Sequence, residues 1–191
     1  MTNLANAGIF DIPPVQVGRT ALLTQDSSGT TFTFAAADFG AAHPDRKILF
    51  LFSLRAASSP TITSVTIGGV AASLAAAYVN TAGGNVTRVA IYAAAVPTGT
   101  AGSIVVTMSG TTIRVLGTVF RAIASSLTAY ASIGNGDAAP SVALDVPSRG
   151  FIIAGAYSNA GPTAATWSGI AEVDDIVATG IWSSGLRSFY S

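Results

Sequence analysis

The acidic trio Glu172, Asp174 and Asp175 and the single histidine, His43, are the residues of this sequence whose types best suit chemistry. Carboxylates so close together can supply hard oxygen ligands for calcium. Faced across a cleft of about 5–10 Å by another carboxyl, such as Asp137 or Asp145, they could act as acid and base in glycoside hydrolysis. Neither arrangement is completed. A calcium loop takes about five or more oxygen ligands around a permissive glycine, and Ala171-Glu172-Val173-Asp174-Asp175-Ile176 has neither. That stretch reads as a solvated loop or strand end. His43 lies in Ala42-His43-Pro44-Asp45, and a catalytic role would need a nucleophile and an orienting acid beside it. No Ser or Thr carries the glycine pattern of a nucleophile elbow, so His43 reads as a turn residue. The sequence points to no catalytic residue, no cofactor and no metal site.

Other binding chemistries are as thin. Gly68-Gly69 and Pro97-Thr98-Gly99-Thr100-Ala101-Gly102 lack the Lys-Ser/Thr ending and following helix of a phosphate loop, and turn chemistry accounts for them. Arg19, Arg46, Arg55, Arg88, Arg114, Arg121, Arg149 and Arg187 are dispersed singly among acids, with no basic stripe for nucleic acid. Aromatic side chains with a polar edge can stack on sugar rings or pack in cores. Trp182 and Tyr190, late in the chain, are the two candidates for glycan contact. Ile9, Phe10 and Ile12 are the candidates for partner docking, on a leading segment that ends in Pro13-Pro14.

The composition narrows the setting. Only 9% of the 191 residues are charged and the formal net charge is zero, against roughly 25% charged in an ordinary soluble domain. Such a surface neither steers nucleic acid nor repels its own copies, which favours self-association or docking on a larger assembly. The absence of cysteine excludes disulfides and thiolate metal sites. No apolar run approaches the roughly 18 residues of a membrane span, and the start lacks a secretory pattern. Neither membrane insertion nor secretory export is expected.

The elements that must position these residues are strands. Short apolar or alternating runs recur between turn residues, the pattern of sandwiches and barrels. Residues 1–14 form an extended arm and 15–191 one domain. Arg19 to Thr24 and Thr31 to Ala35 read as a hairpin around Asp26-Ser27-Ser28-Gly29. Lys47 to Arg55 is an unbroken apolar strand covered on both faces, and it is the expected centre of the fold. Ser64 to Ile67 and Val70 to Leu74 flank Gly68-Gly69, a two-residue turn needing positive φ.

Thr87 to Ala95, Ser103 to Ser109 and Ile113 to Ile123 continue the series, with Val115, Gly117 and Val119 on one face and Arg114, Leu116, Thr118 and Phe120 on the other. Val142, Leu144 and Val146 alternate, Phe151 to Tyr157 is a second doubly covered strand, and short runs follow near Ala165 to Trp167, Ile176 to Ala178 and Ile181 to Ser184. The expected fold is all-β: about ten strands in a two-sheet antiparallel sandwich, jelly-roll or Ig-like.

The stretches Ile48 to Arg55, Ile62 to Ala72 and Ala94 to Gly110 resemble a loosely defined group of β-sandwich virion proteins of tailed bacteriophages and prophages. The resemblance covers about residues 46 to 110 well and 140 to 160 weakly. It is carried by framework turns and strands, so no functional residue transfers. It implies a non-enzymatic particle component, assembled in the host cytoplasm: a capsid decoration protein, a head fibre or a tail-appended module. Such a protein is usually an oligomer docked on other virion proteins. Two alternatives stand beside it, a carbohydrate-binding module that recognises a host-surface glycan through Trp182 and Tyr190, and a hydrolase built on the acidic trio and His43.

Overall fold

A computed structural model describes residues 15–81, 85–123, 143–146, 150–158, 166–177 and 181–189. The arm, with Ile9, Phe10 and Ile12, lies outside the described residues, as does Tyr190. The described chain is all strand and loop, without a helix. Its twelve strands are β1 (Gln16–Gln25), β2 (Gly29–Asp38), β3 (Arg46–Ala56), β4 (Ile62–Ile67), β5 (Val70–Ala71), β6 (Ser73–Asn80), β7 (Val86–Ala95), β8 (Ala101–Thr112), β9 (Arg114–Ile123), β10 (Phe151–Ser158), β11 (Ala171–Val177) and β12 (Ile181–Ser188).

They form three antiparallel sheets. Five strands run in the order β1-β9-β3-β7-β6, four in the order β2-β8-β4-β5 and three in the order β10-β12-β11. The sandwich expected from the sequence is present, and a third sheet covers the second face of its five-stranded layer. β3 is at the middle of that layer, and alternate β3 residues explain its unbroken apolar run. Ile48, Phe50, Phe52 and Leu54 enter a core shared with Phe32, Phe34, Val65, Ile67, Ile104 and Val106 of the four-stranded sheet. Leu49 and Leu51 enter a second core, with Leu116, Phe120 and Trp182, beneath the three-stranded sheet.

β9 divides as its alternation predicts, Val115 and Val119 into the first core and Leu116 and Phe120 into the second. Gly117 lies between them because nothing larger fits. A Cβ there would stand 2.6 Å from the Cβ of Phe52 and 2.7 Å from the Leu51 carbonyl. The Gly68-Gly69 turn is also as expected, with φ of 60° and 79° between the paired residues Ile67 and Val70.

Several local expectations are corrected. β1 and β2 are not a hairpin: β1 pairs with β9 and β2 with β8, so the Asp26–Gly29 turn carries the chain from one sheet to another. Residues 143–146 are not strand, and neither are 166 and 167; Val142 and Ala165 lie outside the described residues. β10 is an edge strand, half-buried rather than fully covered, and β12 is the centre of its sheet.

Candidate functional site

Of the acidic trio, only Asp174 is buried, and it faces inward to join three strands from two sheets. Arg19 of β1 holds its carboxylate by an ion pair, Nη2 to Oδ1 at 2.8 Å and Nε to Oδ1 at 3.1 Å. Thr118 of β9 donates to Oδ2 at 2.8 Å, and the Ser184 hydroxyl of β12 lies 3.0 Å from that of Thr118. Trp182 donates its indole N–H to Thr118 at 3.3 Å. A bulge between Glu172 and Asp174 sets this geometry by turning Asp174 toward the interior. With Arg19 bridging its oxygens, Asp174 is a fastening between layers. Glu172 remains exposed and Asp175 stands opposite Ser183 of β12 in the register, so the trio does not converge on a common point.

Trp182 corrects the sequence reading most sharply. Its relative exposure is 0%, because its strand is the middle of the three-stranded sheet and its ring is pressed between that sheet and β3. Gly155 of β10 provides the space, since a Cβ at Gly155 would stand 2.6 Å from the Trp182 ring. A ring without an open face gives no platform for a sugar, so the glycan reading loses its leading residue. His43 belongs to a turn: its Nδ1 accepts from the Asp45 amide at 3.1 Å, and its carbonyl accepts from the Arg46 amide. Among the described residues, no group of three or more His, Cys, Asp or Glu is placed to hold a metal ion.

The arginines depart from the expectation of scattered, acid-matched charges. Arg46 is fully buried and is held by main-chain oxygen. Its Nε donates to Val96 O at 2.6 Å, Nη1 to Gly40 O at 2.8 Å and Phe39 O at 3.4 Å, and Nη2 to Thr98 O and Gly99 O, both at 2.7 Å. All its donor capacity is used. It clamps the loop after β2 to the loop after β7. Burial, and secondarily the charge of Arg121, lower its pKa from the ordinary arginine value.

Arg55 and Arg114 are paired residues on neighbouring strands, both on the face covered by the three-stranded sheet. Arg114 Nε is 3.1 Å from Asp26 Oδ1 without the alignment of a hydrogen bond. The buried hydroxyl of Tyr157 on β10 also lacks a well-aligned hydrogen bond, although the Arg114 side chain approaches it. Burial raises its pKa, against the opposing charges of Arg114 and Arg55. Register alone brings Arg55 and Arg114 together, and nothing in the sequence near either residue signals it.

The described large hydrophobic residues that are exposed, Val70, Leu74 and Val79, all belong to β5 and β6. This ribbon carries the chain from the outer edge of the four-stranded sheet to the outer edge of the five-stranded sheet. No family model, curated protein or solved structure matches this chain. The functional reading therefore rests on the residues and on their placement.

Proposed function

We propose that this chain is a non-enzymatic structural protein of a bacteriophage particle, docking on the particle exterior as a decoration protein or as a head or tail fibre component. One observation carries the contact role: among the described residues, the large apolar side chains that are exposed collect on the β5–β6 ribbon, while the buried ionic groups fasten the interior. An apolar edge strand with unpaired main-chain groups is a ready contact surface, and a chain with few charges meets little electrostatic resistance to docking. The assignment to a virion is supported by the resemblance of residues 46 to 110 to phage sandwich proteins. Its partners are other virion proteins, of capsid or tail.

The test is particle occupancy. Wild-type protein and a Leu74→Glu, Val79→Glu variant are supplied to particles lacking the chain, and bound protein is measured by quantitative mass spectrometry. Wild-type binding and at least a tenfold loss in a variant with an unchanged melting temperature support the reading, the size following from charges forced into an apolar contact (~1.4 kcal/mol per factor of ten). Particles that never retain the wild-type protein refute it.

A further inference from the structure

We propose that Arg55, Arg114 and Tyr157 form a binding site for a small oxyanion, phosphate or carboxylate, at the end of the sandwich where β3 ends and β9 begins. The site is separate from the docking role and lies under the three-stranded sheet, two strands in from the Val79 end of β6. Its basis is a cluster of donors that the fold brings together without fully satisfying.

Arg55 and Arg114 are directly opposed in the β3–β9 register, which sets their Cα atoms about 4.5–5.5 Å apart. Both follow the alternation that sends Leu51 and Leu116 into the second core, so both side chains project from the same face. Like charges directly opposed across strands destabilise a sheet. Asp26 stands beside Arg114 at 3.1 Å, and among the described residues no carboxylate forms an ion pair with Arg55. Two cations thus share one acid.

Arg55 Nε, Arg114 Nε and Tyr157 Oη are all sealed from solvent without a well-aligned hydrogen bond; the Arg114 side chain has only its ion pair with Asp26 and its approach to the Tyr157 hydroxyl, and the Arg55 side chain has neither an ion pair nor a hydrogen bond among the described residues. Buried polar groups left so call for a partner. Gly155, two residues earlier on β10, lies against Leu51 of β3, and Tyr157 is close enough to Arg114 and Arg55 for both charges to act on its hydroxyl. Burial holds its hydroxyl in the protonated form, which makes it a donor. Two guanidiniums and a phenol are a donor set matched to one oxyanion, which accepts from all three and neutralises the opposed charges. The site has a route to solvent, since Arg55 is only partly buried and the Asp26 side chain is half-exposed.

The experiment is thermal melting of the full chain at constant ionic strength, titrating sodium phosphate or sodium acetate against sodium chloride. A bound anion should raise the melting temperature saturably, by about 5–10 °C at roughly a hundredfold excess over Kd. Arg55→Gln and Tyr157→Phe should each weaken the response about tenfold or more. Lys47→Gln removes the same charge from the other end of β3, about 27 Å away, and should leave the response intact. A response to phosphate alone, acetate alone or both identifies the type of oxyanion held. No saturable rise with either salt overturns the proposal, and so does a rise that persists undiminished in both site variants. Arg55→Gln and Tyr157→Phe keep the test decisive even if substitution of the more deeply buried Arg114 prevents folding.

Discussion

Arg19 and Asp174 join the first strand of the fold to one of its last, the guanidinium bridging both oxygens of a carboxylate whose side chain is 5% exposed while its own is 38% exposed. The asymmetry matters more than the distance. Arg19 can turn to water if its partner is lost, whereas Asp174 has nowhere to go. The pair therefore acts mainly to make a buried carboxylate tolerable at the seam between the five- and three-stranded sheets.

Arg19→Met should destabilise the protein by about 1–2 kcal/mol, the value for a broken buried pair reduced for the solvent that reaches Arg19. Adding Asp174→Asn to that variant should recover part of the loss, because the stranded charge disappears while Thr118 and Ser184 keep a partner. A double-mutant cycle by urea denaturation measures this. Strictly additive effects would show that the two residues act separately.

Arg46→Met should cost about 3 kcal/mol, since it strips donors from carbonyls in two loops, those of Phe39 and Val96 buried and the others partly so. Arg46→Lys should cost less but should not be neutral, because three donors on a compact ammonium cannot replace a planar fork spanning both loops. The expected signature is a lower urea midpoint with an unchanged m-value. A wild-type midpoint for Arg46→Met would mean that the clamp contributes nothing.

The same structure shows which parts of the fold could be read in the chain. β3 was legible because Leu49, Phe50, Leu51 and Phe52 leave no polar face, and Gly68-Gly69 because only a two-residue turn joins those alternating runs. The β3 pattern also contained the third sheet: a two-layer sandwich leaves one face of each sheet in water, so a strand apolar on both faces needs a second cover. That cover was hard to see because β12 supplies it with Trp182 among Ser183, Ser184 and Gly185, a sequence too small and polar to look like a core strand. The false hairpin at Asp26–Gly29 has a different origin, since turn residues specify a reversal but not the strand that pairs next. Arg55 and Arg114 were invisible for that same reason, because their adjacency exists only in the register.

Gly155→Ala should lift the three-stranded sheet from β3, since the new methyl would meet the Trp182 ring at 2.6 Å and Leu51 at 3.0 Å. Overpacking of this kind costs about 1–3 kcal/mol. In a Trp167→Phe background Trp182 reports on it directly: its emission should shift to longer wavelength as water reaches the ring, before the global unfolding transition. Val119 and Phe50, in the opposite core, should retain their hydrogen-exchange protection. Unchanged Trp182 emission together with unchanged stability would show that the two sheets are not in contact at Gly155.

Alkaline pH offers a separate test of the interior, through Tyr92 and Tyr157. Burial is the leading cause of a raised pKa at both, opposed by Arg88 at Tyr92 and by Arg114 and Arg55 at Tyr157. A tyrosine whose folded pKa exceeds its unfolded value of about 10 keeps its proton longer in the native state. Above pH 10 the unfolded chain binds fewer protons than the folded one, so stability declines as pH rises. The contribution is intact below about pH 10 and is lost as pH climbs through the folded values. Urea midpoints should therefore fall between about pH 10 and the folded values, and the Tyr92→Phe, Tyr157→Phe double variant should flatten that fall. Ultraviolet titration of the native protein should show the matching delay in tyrosinate formation, removed by the same two substitutions. If both phenols ionise in step with free tyrosine, the interior around β7 and β10 is more open to water than this packing allows.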